Sequence, residues 1–465
     1  MLRSHKLSEV DKKLIGKKVE LCGWIDSVRG HGKLIFIDLR DRYGKVQCVI
    51  KKDNKNFETA KSLTSETSIK ITGEVKARLK GTENKDLSSG EVEIVISDFE
   101  IFNLCPVLPF EVNREDVNED VRMNHRFLDL RSERMQKNMI LRSKVFLSVL
   151  EFFEKEDFVH LETPILGKST PEGSRDFLVP SRKEKGSFYA LPQSPQLFKQ
   201  LSQIAGFDKY IQIPRCFRDE DTRKDRQPEF TQIDVEMSFV EEKDIIDLVE
   251  RMLKYIFKKV LNKDIKTPFK RISYDESMKK YGRDNPDLRK DPTNKGEFAF
   301  CWVVDFPTFE YSKEEKRYKA THHPFTSPIA GKKGKLDFNE KSKSRAYDVV
   351  LNGSEIGGGS IRIHDSEVQS KVFDILKISK SEAQNKFGFL LDALKFGAPP
   401  HGGIAFGLDR LVQLMVGEEN IREVIAFPKN KEARDMMLNA PSNVDNEQLD
   451  EIGLSLKKIK KNNSK

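Results

Sequence analysis

The sequence predicts an α+β protein built as a small β-barrel followed by a larger mixed domain. Three observations predict it. Five short strand-like runs separated by turn residues fill residues 1–105. From residue 126 on, helix-period and strand-period stretches alternate. Between them, residues 106–125 hold Pro106 and Pro109 in a charged stretch without periodicity, the expected hinge. With 465 residues, there is enough chain for two or three sizeable cores.

Composition narrows the class. The 82 basic and 74 acidic side chains leave a net charge of +8, compatible with a nucleic-acid partner but equally with a solvated mixed-charge surface. Cys22, Cys48, Cys105, Cys216 and Cys301 stand far apart without a CxxC pair. That argues against a zinc ribbon and a disulfide framework and fits a reducing compartment. No signal-like apolar segment and no apolar run of about 18 residues occurs, so no membrane association is expected and the cytoplasm is the expected location.

In the first domain the strands fall at 19–25, 34–39, 45–50, 68–75 and 92–97. Turns at 29–32 (Arg-Gly-His-Gly) and 41–44 and a long polar loop at 80–90 separate them. Five short strands with Gly-rich corners suggest a Greek-key barrel of OB type, a fold that binds single-stranded nucleic acid on an open face bearing aromatics. Phe36, Gln47 and Arg29 could serve that face; Phe36 could equally be a core residue.

In the second domain a helix is expected over 132–155, with an apolar side from Ile140, Val145, Val149 and Phe153. It leads to an extended segment at 159–165, where Pro164 must sit at an edge or strand end, a plausible dimer surface. A second helix over 194–204 puts Gln196 and Lys199 on one face. Strands at 210–213 and 231–239 flank a loop holding Arg218, Asp219, Glu220 and Arg226. The later strand alternates strictly, with Thr231, Ile233, Val235 and Met237 opposite Gln232, Asp234, Glu236 and Ser238. A helix spans 241–263; residues 271–297 are polar and weakly patterned. Strands follow at 299–305, 347–351 and 355–363, the last two joined by an Asn352-Gly353 hairpin turn. Residues 402–411 read as strand, Gly turn, helix, and 457–465 as a basic disordered tail.

Taken together, these stretches resemble the class II aminoacyl-tRNA synthetases, and closely the bacterial-type aspartyl-tRNA synthetases. Helix 132–155 with the segment through Pro164 resembles the family's first motif. Phe217-Arg-Asp-Glu220 with Arg226-Gln-Pro-Glu-Phe230 resembles the second, and Gly407-Leu-Asp-Arg410 the third. The resemblance implies an anticodon-binding OB domain at 1–105, a hinge at 106–125 and a catalytic domain at 126–465 with an antiparallel sheet flanked by helices. It also implies an aspartate–tRNA ligase using ATP and Mg²⁺, acting on tRNA(Asp) as a homodimer. Arg218 would clamp the α-phosphate, Phe230 and Arg410 would sandwich adenine, and Asp219, Glu220, Gln227, Gly407, Leu408 and Asp409 would complete the ATP site. Asp348 and Glu355 would hold the metal, with Arg218, Arg410 and Glu355 as the catalytic set.

For aspartate, Asp234 would pair with the ammonium group and Lys199 with Arg362 would bind the side-chain carboxylate. Gln196, Glu172 on a closing loop, and His322 of the His322-His323 pair would complete that site. Phe36 would stack on an anticodon base and Gln47 would bond to it, beside Arg29. His31, with Gly81, resembles members that also charge tRNA(Asn); a tRNA(Asp)-only enzyme is the alternative. Sibling synthetases for asparagine or lysine, or a non-catalytic RNA-binding derivative, are further alternatives, opposed by Lys199 with Arg362 and by the joint presence of Arg218, Glu355 and Arg410. The large insertion usual between the second and third motifs is expected to be reduced to residues near 286–300.

Overall fold

The computed structural model describes residues 1–85, 87–170 and 173–457, in two compact units, Met1–Val117 and Asn118–Lys465. The boundary lies inside the expected hinge but earlier than its end. Asn118 accepts from the Asp120 backbone N–H and caps a short helix, Glu119–Asn124, that belongs to the second unit. Residues 118–125 are therefore not linker.

The first unit is a closed barrel. Its strands are β1 (Lys18–His31), β2 (Leu34–Arg40), β3 (Lys45–Lys51), β4 (Ser68–Ala77) and β5 (Val92–Asn103), in the order β1-β2-β3-β5-β4. All five were expected. The turn anticipated at 29–32 is smaller, because β1 pairs with β2 as far as His31↔Leu34 and only Gly32 and Lys33 make the corner. Gly32 takes φ +60°, which a side chain would strain. Ile35, Ile37 and Leu39 point into the barrel core. The period of two then turns Phe36 to the outer wall, where it is half-buried. Of its two readings, the core one is excluded.

In the second unit, α1 (Glu133–Lys155) leads to β6 (Val159–His160) and α2 (Gln196–Ile204) to β7 (Lys209–Gln212), β8 (Arg215–Phe217) and β9 (Glu229–Ser238). There follow α3 (Glu242–Leu261), β10 (Lys270–Ser273), β11 (Phe300–Val304), β12 (Ala346–Leu351), β13 (Ser354–Ile361), β14 (His401–Gly407) and α4 (Leu408–Val416). The sheet order is β10-β11-β12-β13-β14-β9-β7-β6, with β8 also on β9. The middle pairings are antiparallel, as expected, while β10–β11 and β7–β6 are parallel, one at each edge. The segment expected to be extended over 159–165 is strand only at Val159–His160, since Pro164 offers no N–H to a ladder.

One face of the sheet makes the core. Val145, Val149 and Phe153 of α1 and Ile246, Leu253 and Phe257 of α3 pack on Ile233, Val235, Val349, Ile404 and Phe406 of the strands. Each such side chain contributes about 1.5–3 kcal/mol when fully buried. The other face carries the polar set of β9. The sheet is drawn tight along β14, against β13 on one side and β9 on the other. A Cβ on Gly359 would lie 2.1 Å from Gly403 O, and one on Gly403 would lie 2.0 Å from Val235 O. The glycines serve close strand approach. Residues 271–297, expected to be irregular, contain β10 and a further helix, Tyr274–Tyr281, capped by Ser273 and ended by Gly282 at φ +69°.

Candidate active site

The polar face of β9 runs Phe230, Gln232, Asp234, Glu236, about 7 Å per step. At its β8 end lies a hollow of about 260 Å³ walled by Arg218, Glu220, Gln227, Phe230, Glu355 and Arg410. The Arg218 guanidinium sits 5.0 Å from the Phe230 ring centre and donates from Nε to Gln193 O at 3.3 Å. Arg410, on the first turn of α4, donates to Glu355 O and, at 3.3 Å, to Asp225. Two guanidinium groups and an aromatic face suit an aryl-bearing anion.

Not every residue of the expected nucleotide set reaches this hollow with its reactive atoms. Gln227 spends its amide on Lys429, donating to Lys429 O at 3.0 Å and accepting from Lys429 N at 2.8 Å, so it holds the loop in place. Asp409 pairs with Arg142 of α1 and accepts from Thr231 N at 3.0 Å, tying α4 to the sheet. Leu408 is buried in the core, and Asp219 turns to Arg175 at 3.9 Å. Glu220 accepts from Ser174 Oγ and from Arg226 at 3.1 Å. Gly407, opposite Gln232, leaves the floor of the hollow open.

Beside the hollow, the carboxylates of Asp348 and Glu355 converge over Gly358, where an added Cβ would meet Asp348 Oδ1 at 2.6 Å and Glu355 Oε1 at 3.4 Å. The charge of Asp348, and then enclosure by protein, pushes the Glu355 carboxyl up to about 7. Two carboxylates repelling each other beside an anion pocket suit a divalent cation. Among the described residues no group of three His, Cys, Asp or Glu could hold a metal, so the remaining ligands would be phosphate oxygens and water.

Two strand positions on, the site is a buried tetrad. Lys199 Nζ lies 2.9 Å from Asp234 Oδ1 and 3.4 Å from Glu236 Oε2, and Arg362 grips Glu236 through Nε at 2.9 Å and through a second nitrogen at 3.1 Å. All four side chains are at most 4% exposed. Burial raises Asp234 above the usual carboxylate range, against the pull of Lys199. For Glu236 burial also acts upward, but Arg362 and Lys199 overcome it and hold it low. Asp234 Oδ2, Gln196 Nε2 and His323 Nε2 are shielded from water with no hydrogen-bond partner among the described residues. Arg362 has used three of its five donors. Unmet donors and acceptors around spare cation capacity suit a small zwitterion.

Sequence reasoning anticipated Gln196, Lys199, Asp234 and Arg362 and missed Glu236, although it lies on the same alternating face. The expected pairing also differs. Asp234 is already bound to Lys199, so one of its oxygens, not the whole carboxylate, is free for a ligand ammonium. The histidine pair divides. His322 Nε2 lies 3.1 Å from Asp348, whose charge raises His322 against the effect of burial. His323 is pushed down to about 3 by burial and then by Arg362 and Lys199. His323 is thus kept neutral, while His322 is tied to Asp348. Glu172 lies outside the described residues, as does all of the basic tail beyond Lys457.

On the barrel, Arg29 stands opposite Phe36 and Gln47 opposite Asp38, so all three share the outer wall of β1–β3. Gln47 donates to Glu93 at 3.1 Å and Arg29 to Asp38 at 2.8 Å. Glu93 is a neighbour that the sequence reading did not single out. His31 is exposed at the end of β1, and Gly81, at φ +89°, lies in the loop between β4 and β5 with open space around it.

A family model for class II tRNA synthetases (D, K and N) matches residues 118–431, and one for the OB-fold nucleic acid binding domain matches residues 19–102. The chain belongs to the class II tRNA synthetases of this group. The synthetase is 41% identical, over 575 residues, to an aspartate–tRNA(Asp/Asn) ligase of Thermotoga neapolitana, covering 97% of this chain and 99% of that protein. It is 42% identical over 593 residues to the aspartate–tRNA(Asp/Asn) ligase of Hydrogenobaculum sp., covering 98% and 100%. Both alignments are longer than the 465-residue chain, so each relative carries sequence without a counterpart here. Asparaginyl-tRNA synthetase from Pyrococcus horikoshii complexed with asparaginyl-adenylate shares the fold, with a TM-score of 0.76 at 24% identity over 92% of this chain and 98% of that one.

Proposed function

We propose that the synthetase activates L-aspartate with ATP to aspartyl-adenylate and transfers the aspartyl group to the 3′ end of tRNA(Asp) and of tRNA(Asn). The observation that carries this is the buried pair Lys199 and Arg362, on the polar face that continues into the Arg218–Phe230–Arg410 hollow. Adenine between Phe230 and Arg410 leaves the α-phosphate at Arg218. Aspartate enters with its side-chain carboxylate on the spare donors of Lys199 and Arg362 and its ammonium at Asp234 Oδ2 and Gln196.

The α-carboxylate is ionised at neutral pH and needs no general base. Its oxygen attacks the α-phosphorus in line, the bond to the bridging oxygen breaks, and pyrophosphate leaves. Arg218 and Arg410 neutralise the charge that develops, and the walls fix the approach. Asp348 and Glu355 would hold Mg²⁺, which supplies further charge neutralisation on the phosphates. In the second step a ribose hydroxyl of the RNA end attacks the adenylate carbonyl and AMP leaves. Asparagine fails because its amide leaves buried cation donors unpaired, a discrimination on the order of 10⁴.

The exposed apolar side chains Phe146 and Leu147 on α1, with Val159, Ile165 and Leu166 at the sheet edge, support a homodimer through this face. The missing stretch of the relatives falls at residues 286–300, between the two halves of the site. The exposed His31 and the dual tRNA names of the relatives support tRNA(Asn) as a second substrate.

Aspartate-dependent, asparagine-independent ATP–pyrophosphate exchange tests the activation step. Exchange supported by asparagine or lysine instead overturns it. Aspartate charging of purified tRNA(Asn) tests the wider specificity, and absence of product restricts the enzyme to tRNA(Asp).

A further inference from the structure

The nucleotide hollow takes its opposing faces from different elements. Phe230 stands on β9 and Arg410 on the first turn of α4, while Ile421 of the short turn Ile421–Val424 joins the wall. A planar base held between a ring and a guanidinium needs a gap of about 7 Å, two contact distances of about 3.5 Å. A slot of that kind works only when it is fixed to within about 0.5 Å. The two side chains do not fix it themselves. Arg410 reaches to Glu355 O and Asp225, and Phe230 lies under Arg218.

The bonds that set the gap lie one residue away in each element. Thr231, next to Phe230, donates from N to Asp409 Oδ2 at 3.0 Å, and Asp409 is next to Arg410. The other oxygen of Asp409 accepts from Arg142 Nη1. The same nitrogen donates to Val424 O at 3.1 Å, and Nη2 donates to the Thr231 hydroxyl at 3.3 Å. One guanidinium thus joins β9, α4 and the Ile421–Val424 turn, three segments that wall the hollow, while Arg142 itself lies outside the lining. Arg215 also reaches the Thr231 hydroxyl, at 3.4 Å, but spends its other nitrogen on Glu229.

Two features make this a rigid frame. Arg142 rides on α1, whose Val145 and Val149, three and seven positions on, are buried in the core. Asp409 is 4% exposed, so its charge depends on the cation beside it. The planar fork also suits the task, because a lysine brings one nitrogen where Arg142 uses two. We infer that Arg142 is a positioning residue that sets the width of the adenine slot through Asp409 and Thr231. This rests on the reading of the hollow as the ATP site. Arg218 is held separately, by Gln193 O and Pro228 O, so the phosphate side of the site should not follow Arg142.

The test uses the full chain with Arg142→Lys, and with Thr231→Val, which removes only the hydroxyl end of the frame. ATP and inorganic tripolyphosphate are titrated with magnesium present, beside exchange kinetics and thermal unfolding. A base stacked on an aromatic face contributes roughly 5- to 150-fold in affinity. The preference for ATP over tripolyphosphate should therefore fall about tenfold in Arg142→Lys and about threefold in Thr231→Val. The KM for ATP should rise in step, while tripolyphosphate affinity and the KM for aspartate stay within about twofold of the parent. A merely structural role would weaken ATP, tripolyphosphate and aspartate together, and that result would overturn the inference. So would an unchanged ATP preference in a folded Arg142→Lys protein. Should that variant not fold, Thr231→Val decides, and an unchanged preference there overturns the inference. A parent that binds ATP no better than tripolyphosphate overturns the nucleotide reading, and the inference with it.

Discussion

The Arg362→Met substitution removes three hydrogen bonds at once, two to Glu236 at 2.9 and 3.1 Å and one to Ser360 Oγ at 2.8 Å. Glu236 is left buried with Lys199 at 3.4 Å, a cation that Asp234 already holds at 2.9 Å. Breaking a buried pair from one side costs about 3–5 kcal/mol, because the remaining charge has neither water nor a full partner. The unfolding midpoint should fall by several degrees. Adding Glu236→Gln removes the stranded charge and should restore about 1–3 kcal/mol of that loss. Activity should behave differently. Both the single and the double variant lack a cation for the substrate carboxylate, so aspartate-dependent exchange should fall by roughly 10⁴ in kcat/KM in each. Thermal unfolding and pyrophosphate exchange on the same samples separate the two roles. Exchange that recovers together with stability in the double variant would refute the reasoning, as would an Arg362→Met enzyme within about tenfold of the parent.

Glu236 is held below the ordinary 4.5, so its contribution to stability is complete above that value and is lost as pH falls through the lower folded one. Glu236→Gln should flatten the acid limb of a stability–pH curve. Glu355, raised to about 7, binds a proton below that pH, so the Mg²⁺ requirement of exchange should rise about fivefold from pH 7 to 6. Glu355→Gln should abolish that pH dependence; magnesium titrations at two pH values show it. Phe36→Ala should leave exchange untouched and weaken tRNA binding by about 1–3 kcal/mol, the value of one stacked base, in a binding titration. His31→Leu should lower charging of tRNA(Asn) relative to tRNA(Asp), measured as a ratio of kcat/KM.

Strands whose pattern is carried by their own side chains were legible, and β9 is the clearest, because alternation needs no knowledge of partners. What the alternation hid was burial. A run of Gln232, Asp234, Glu236 and Ser238 looks the same facing water or facing a cation, and the partner that buries Glu236 lies 126 residues further on. The helix Tyr274–Tyr281 was signalled by Ser273, Glu276 and Gly282, a cap at each end, but its apolar stripe is too thin to show as periodicity. The third motif misled in another way. Its residues are contiguous in sequence, yet Arg410 faces the hollow, Asp409 turns back to Arg142 and Leu408 enters the core, as helical rotation requires.

The bonds between Gln227 and the Lys429 backbone also set an order of assembly. The two residues lie 202 positions apart, so during synthesis at roughly 5–20 residues per second the nucleotide loop waits about 10–40 s for the segment that pins it. Until then Arg218 sits on a loop without its second anchor. On the proposed assignment of Arg218 to the α-phosphate, a nascent chain carries that clamp long before it can hold ATP in a fixed pose, and ATP competence arrives as one of the last events in making the protein.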